Sequence, residues 1–233
     1  MSAGAGRPCC FLNVATSLDG KIASHRRERP GFPSREDRRL MDRIRARSDA
    51  ILIGAGTLRA VDFPLRIRSR TLRKQRLAAG RAEQPLNILL SSSLAVPRQG
   101  RFFQASDVRR LVVTTASAPS RRLSSVRRSS EVLVLGRKKV LLPRLMRELR
   151  ARGVAQLLLE GGGETNFDFF RRGLIDEIYL TLCPLIIGGS RSPTPVDGAG
   201  FLPDRFPHYR LVSLRRSRGE LFLHYLRKSG PRD

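Results

Sequence analysis

The chain has 233 residues, 40% of them hydrophobic, with 45 Lys and Arg against 20 Asp and Glu and a formal net charge of +25. That length and apolar content are enough to bury a sizeable core, which excludes a disordered tail and a small disulfide-stapled module. No stretch approaches the roughly 20 apolar residues that cross a bilayer, so no membrane partner is expected.

Met1 to Cys10 lacks a basic segment followed by an apolar core, so no secretory signal is expected and the reading is cytoplasmic. Cys9, Cys10 and Cys183 are an odd set that builds no disulfide framework and suits a reducing compartment. Phe11 to Ala15 is a strand closed by a turn at Asp19-Gly20, and His25 to Pro33 is a charged, proline-bearing loop. Ser34 is the N-cap of a helix running through Arg47, with Leu40, Met41, Ile44 and Ala46 on its apolar stripe. Ala50 to Ile53 is a second strand, opening into Gly54-Ala55-Gly56-Thr57. The arginine-rich stretch from Arg66 to Gln84 is a long loop or an exposed helix. Leu86 to Leu90, Arg110 to Thr114 and Val132 to Leu135 are strands with polar connections, and Val140 to Arg150 is a helix. After the Gln156 to Leu159 strand and its following helix, Glu177 to Ile187 is a β-rich run. Tyr209 to Leu214 and Leu221 to Leu226 then form a hairpin around Arg218-Gly219. Strands alternating with helices before a closing hairpin predict a single α/β domain of three layers, with a mixed, mainly parallel central sheet.

The segment from Leu157 to Asn166 (LLLEGGGETN) carries the most chemistry. A buried strand ends in the carboxylate of Glu160, breaks through three glycines, and enters a helix marked by Phe167, Phe170 and Leu174. Such a junction presents free backbone N–H groups and the positive end of a helix, a cradle for phosphate. Glu160 falls at the mouth of the crevice where open α/β sheets bind ligands. The Gly54-Ala55-Gly56 junction lacks the third glycine of the dinucleotide fingerprint. His25, His208 and His224 are isolated and no Cys-x-x-Cys occurs, so no metal is expected. Only five of the basic residues are lysines (Lys21, Lys74, Lys138, Lys139 and Lys228), and the arginines are dispersed. Such a surface attracts nucleic acid non-specifically and steers phosphorylated ligands inward.

Four motifs occur in order: Thr16-Ser17-Leu18-Asp19-Gly20-Lys21-Ile22-Ala23, Arg45 to Thr57 (RARSDAILIGAGT), Leu159-Glu160-Gly161-Gly162-Gly163, and Cys183 to Gly189 (CPLIIGG), with Pro195 to Phe201 extending the match. Together they resemble the pyrimidine reductase family of riboflavin biosynthesis, both the C-terminal reductase domain of the bifunctional deaminase–reductase and the free-standing archaeal-type diaminopyrimidine reductase. The resemblance covers about Phe11 to Leu226. It implies a dihydrofolate-reductase-like fold, NADPH as hydride donor, a homodimer, and a deaminase supplied by a separate protein. The implied reaction reduces the ribose of a phosphoribosylamino-pyrimidine, in its uracil or diaminopyrimidinone form, to a ribityl chain, with C1′ accepting the hydride. By the same resemblance Ala15, Thr57 and Gly162, Gly163, Glu164, Thr165, Asn166, Phe167 and Asp168 line the NADPH site. Glu160 accepts hydrogen bonds from the pyrimidine. Lys21 lies near the reacting centre, where it can polarise or protonate the ring-opened imine. Arg45, Leu65 and Arg68 hold the substrate, the arginines on its phosphate.

Two departures mark this chain. The family's Thr-x-x-Ala-Asp-Asp/Asn-Pro reads here as Thr57 to Pro64 (TLRAVDFP), so its first acidic position is Val61, and Asp62 replaces it only if the loop shifts. The family's Ser-x-Trp ahead of the first helix becomes Arg29 and Gly31 in register. Two other readings remain open at this stage. One is a reductase of the same fold with another small substrate, and the other is a basic, non-enzymatic module for nucleotides or nucleic acid.

Overall fold

The computed structural model describes residues 6–28 and 31–228, so Arg29 lies outside the described residues. In chain order its elements are β1 (Cys9–Thr16), α1 (Arg35–Arg47), β2 (Ala50–Gly54), α2 (Ala55–Val61), α3 (Arg70–Ala78), β3 (Leu86–Leu90), α4 (Arg101–Gln104), β4 (Arg110–Thr114), α5 (Ser120–Arg127), β5 (Glu131–Val134), α6 (Leu142–Ala151), β6 (Gln156–Leu159), α7 (Gly163–Arg171), β7 (Glu177–Leu182), β8 (Tyr209–Ser217) and β9 (Glu220–Arg227). Among the described residues these strands make one nine-stranded sheet, ordered β5-β4-β3-β2-β6-β1-β7-β9-β8. β1 to β7 pair in parallel, and the β8–β9 hairpin closes one edge antiparallel to β7.

The period-two alternation of the strands feeds two cores, one on each face. Leu12, Leu52, Leu157 and Leu159 pack under Leu145, Met146 and Leu149 of α6 and Phe169 and Phe170 of α7. Phe11, Ile51, Ile53 and Leu158 pack on the opposite face under Ile44 of α1, Leu58 of α2, Phe102 and Phe103 of α4 and Val126 of α5. Each such buried side chain contributes roughly 1.5–3 kcal/mol. The crossovers from β1 to β5 thus run over one face and those from β5 to β7 over the other. The reversal inserts β6 between β1 and β2, and the carboxyl ends of these three strands open a crevice.

Several boundaries differ from expectation for physical reasons. β7 stops at Leu182: Cys183 N–H still donates to the Thr16 carbonyl (2.7 Å), and Pro184 then has no N–H to give. The arginine-rich stretch holds α3, capped by the Ser69 hydroxyl. Its Arg76 is buried and donates to the carbonyls of Ala46, Ser48 and Ala82 at 2.7–2.9 Å, acting as a bracket between loops. α2 and α5 form where only glycines and polar connections were apparent. Each buries a single residue, Leu58 or Val126, so neither leaves a periodic stripe to read.

Candidate active site

A cleft of about 340 Å³ opens at the carboxyl ends of β1, β2 and β6. Its walls include Ala15, Thr57, Leu65, Arg68, Glu160 and the run Gly161 to Asn166. The two glycine junctions meet there. A β-carbon on Gly54 would run into the Thr165 hydroxyl, one on Gly162 would come within 3.1 Å of the Thr57 hydroxyl, and one on Gly163 would collide with the Asp197 carboxylate. At these places the side chains of Thr165, Thr57 and Asp197 come so close to the backbone that glycine is favoured. α7 starts from Gly162 with no side-chain cap, so its first N–H groups stay available at the cleft. Asn166 gives its amide N–H to the Pro195 carbonyl (2.7 Å), while its buried Oδ1 has no partner among the described residues.

Glu160 does not stand alone in this cleft. Arg45, from the last turn of α1, forks onto it: Nε meets Oε1 at 2.7 Å and Nη2 meets Oε2 at 2.6 Å. The remaining Nη1 donates to the Arg66 carbonyl at 2.8 Å. Arg45 is only 4% exposed, so its guanidinium is fully committed within the wall and fixes the Glu160 carboxylate. Arg68, by contrast, is exposed at the rim with its side chain free to meet an anion.

The other two motifs form the opposite margin. Asp19 accepts hydrogen bonds from the backbone N–H groups of Ile187 (3.1 Å) and Gly188 (2.7 Å) and from the Ser17 hydroxyl (2.6 Å). The Ser17 bond, with those two backbone bonds, holds its carboxyl down at about 2. The turn after β1 is therefore clamped to the run after β7. Ile22 and Ala23 reach the cleft wall, whereas Lys21 stands beside it. Phe167 is buried against Phe201, ring centroids 5.1 Å apart, and Asp168 pairs along α7 with Arg171 and Arg172; neither lines the cleft.

Residues 8–223 match the family described as the RibD C-terminal domain. The chain belongs to this family. It is 39% identical over 196 residues to the 2,5-diamino-6-ribosylamino-4(3H)-pyrimidinone 5′-phosphate reductase of Archaeoglobus fulgidus, covering 84% of this chain and 89% of that protein. It is 32% identical to the protein of the same name from Methanothermobacter thermautotrophicus, over 91% of this chain and 93% of that one. Among solved structures, a pyrimidine reductase-like protein of Corynebacterium diphtheriae superposes with a TM-score of 0.84 at 25% identity, over 96% and 93% of the two chains. The fold is dihydrofolate-reductase-like, as expected, and the family is one of oxidoreductases in riboflavin biosynthesis.

A reductase of this RibD family implies a nicotinamide cofactor. The residues fit one: two side-chain-free approaches, an uncapped helix start and an unsatisfied amide oxygen share one wall. The departures also acquire positions. Val61 lines the cleft, but Asp62 turns away, and its carboxylate accepts the Arg101 N–H (3.1 Å) and Phe102 N–H (3.4 Å) at the start of α4. Gly31 is exposed, and the neighbouring Phe32 stands in the wall instead. Sequence reasoning missed Phe32, Asp37 and Asp197 as cleft residues. Asp197 was within a recognised motif. Asp37 carried no signal beyond being a first-turn acid.

Proposed function

We propose that this chain reduces 2,5-diamino-6-ribosylamino-4(3H)-pyrimidinone 5′-phosphate to its ribitylamino counterpart, with NADPH as hydride donor. The observation that carries this reading is Glu160. It is a carboxylate pinned by Arg45 at the mouth of a glycine-walled cleft, with acceptor sites left over for N–H groups of a pyrimidine. The diamino form is favoured over the uracil form because the two archaeal relatives above carry that substrate in their names. Ala15, Thr57 and Gly162 to Asn166 hold the cofactor, and Leu65 and Arg68 hold the ribosyl phosphate, with Arg68 as the anion contact. Arg45 acts through Glu160 rather than on the phosphate. Lys21, on the clamped turn after β1, stays at the margin beside the reacting centre.

NADPH rather than NADH is supported by a second, open depression lined by Arg59, Arg98 and Arg122, where Arg59 lies close to Gly56 of the first junction. Arginine forks suit the extra phosphate. The bound nicotinamide supplies the hydride; this chain's residues orient C1′ toward it and exclude water. The chain acts as a reductase domain, in the cytoplasm, as a homodimer. No helix among the described residues is long and apolar enough to cross a membrane.

The test is NADPH oxidation, followed by loss of its near-ultraviolet absorbance, with the diamino and the deaminated substrate in parallel. Faster turnover of the diamino form is expected. NADPH binding without turnover of either would overturn the substrate, and failure to bind NADPH would overturn the enzyme.

A further inference from the structure

Asp37 is an acid in an unusual place. It sits in the first turn of α1, where its backbone N–H is capped by the Ser34 hydroxyl (3.1 Å), yet the residue is only 3% exposed. First-turn acids are common at helix surfaces because they suit the positive end of the helix. This one is enclosed and lines the cleft, and its Oδ2 has no hydrogen-bond partner among the described residues. A buried, unshared carboxyl oxygen costs stability, which points to a partner that arrives with the ligand.

The groups around it come from four elements. Thr181 faces the carboxyl from β7, Glu220 from β9, Arg38 from α1 itself, and Glu160 from the end of β6. Thr181 is the register partner of Ala15 on β1, so Asp37 lies over the adjoining ends of β1 and β7, beside the strand that presents Glu160. Burial pushes the carboxyl up from its ordinary range; Thr181 and Arg38 oppose this, and the carboxylates of Glu220 and Glu160 reinforce it. The result is an acid that keeps its proton to higher pH than a surface aspartate and has no acceptor for it among the described residues. Lys21, the other candidate proton source, stands off the cleft wall.

We propose that Asp37 is the proton donor of the reduction, delivering its carboxyl proton from Oδ2 to the ribose ring oxygen. This rests on the function proposed above. As O4′ takes the proton, the C1′–O4′ bond breaks and its electron pair becomes the new hydroxyl of the open chain. The exocyclic nitrogen lone pair forms the C1′=N iminium. C1′ then accepts the hydride from the bound nicotinamide, and the iminium becomes the secondary amine. One proton and one hydride are consumed, and the Asp37 carboxylate is reprotonated from solvent.

The experiment compares Asp37→Asn with the wild-type enzyme in single-turnover NADPH oxidation across pH, alongside NADPH binding. NADPH affinity within about twofold of wild type is expected, with a rate lower by about 100-fold or more, the range for a lost general acid. The wild-type rate should decline on the alkaline side as Asp37 loses its proton, and the residual rate of the variant should lack that limb. A variant that keeps a third or more of the rate, or the same alkaline limb, overturns the proposal. Should the variant fail to fold, a wild-type single-turnover rate with no alkaline limb overturns it equally. Failure of the underlying function looks different: wild type then binds NADPH and consumes none with the pyrimidine phosphate, and both readings fall together.

Discussion

Arg45 and Arg47 leave the same last turn of α1 two residues apart, and each forks onto a glutamate, yet the two pairs do different things. Arg45 meets Glu160 at the carboxyl end of β6, inside the cleft. Arg47 meets Glu177 at the start of β7, donating at 2.7 and 2.8 Å. Glu177 is further surrounded: Tyr179 OH lies at 3.2 Å, His224 Nε2 at 3.2 Å and Cys9 Sγ at 3.6 Å. Arg47 lies 4.5 Å above the Phe11 ring, and Tyr179 and His224 stack with centroids 4.4 Å apart. Glu177 is saturated by the fold, whereas Glu160, among the described residues, receives only Arg45 and keeps acceptor capacity toward the cleft. The same ion pair has a closed shell at Glu177 and leaves one side open toward the cleft at Glu160.

Replacing Glu160 by Gln should have the largest effect. Loss of a fixed, enclosed carboxylate should lower kcat/KM for the pyrimidine about 100-fold or more, equivalent to roughly 3 kcal/mol, in steady-state assays. NADPH affinity by fluorescence titration should stay within about twofold; equal loss of both would erase the contrast with Glu177. Arg47→Ala should do the reverse. Urea unfolding should show a loss of about 2–3 kcal/mol, with kcat/KM of the folded enzyme unchanged. A catalytic defect there would make the two pairs one unit.

Acid sharpens the same contrast. Burial pushes the Glu177 carboxyl up, but Arg47, His224 and Tyr179 together hold it down at about 2, below its ordinary 4.5. A depressed folded-state value means the stabilisation is complete above about pH 4.5 and is lost as pH falls toward 2, a contribution on the order of 2 kcal/mol. Urea midpoints of wild type should therefore drop through that window, and those of Glu177→Gln should drop less; parallel curves would remove Glu177 as a source of acid lability. The smallest effect expected is for Arg68→Ala at the rim. Substrate KM should rise about tenfold, near 1.4 kcal/mol, with cofactor affinity unaffected. An unchanged KM would remove Arg68 from the phosphate.

Much of this was legible in the chain because its causes are local. Strands such as Ala50–Gly54 and Gln156–Leu159 announce themselves by short apolar runs between turn residues, and Ser34 marks the start of α1 as its cap. The glycine junctions could be read as a cradle because glycine is favoured at such approach. What escaped depends on residues far apart. Nothing near Arg45 indicates that its guanidinium belongs to a glutamate 115 positions away. Asp37 reads as an ordinary helix-start acid until β7 and β9 close over it, and Asp62 reads as a spare acid until α4 takes it. The large positive charge also misleads. Arg45, Arg47, Arg76 and Arg81 hold carboxylates and carbonyls inside the protein, so part of the basic composition is scaffold rather than a surface for polyanions.

The place of β1 in the sheet has a kinetic consequence. Of these nine strands it leaves the ribosome first, yet it pairs with β6 and β7 and not with β2. Its hydrogen-bonding edges must wait for a stretch of chain synthesised more than a hundred residues later, and pairings of such separation are slow to form. Between those events β2 to β5 can assemble among themselves, while the ligand crevice cannot exist. In refolding, recovery of cofactor binding should therefore lag recovery of helical signal, so the nicotinamide becomes a reporter of the last long-range strand insertion.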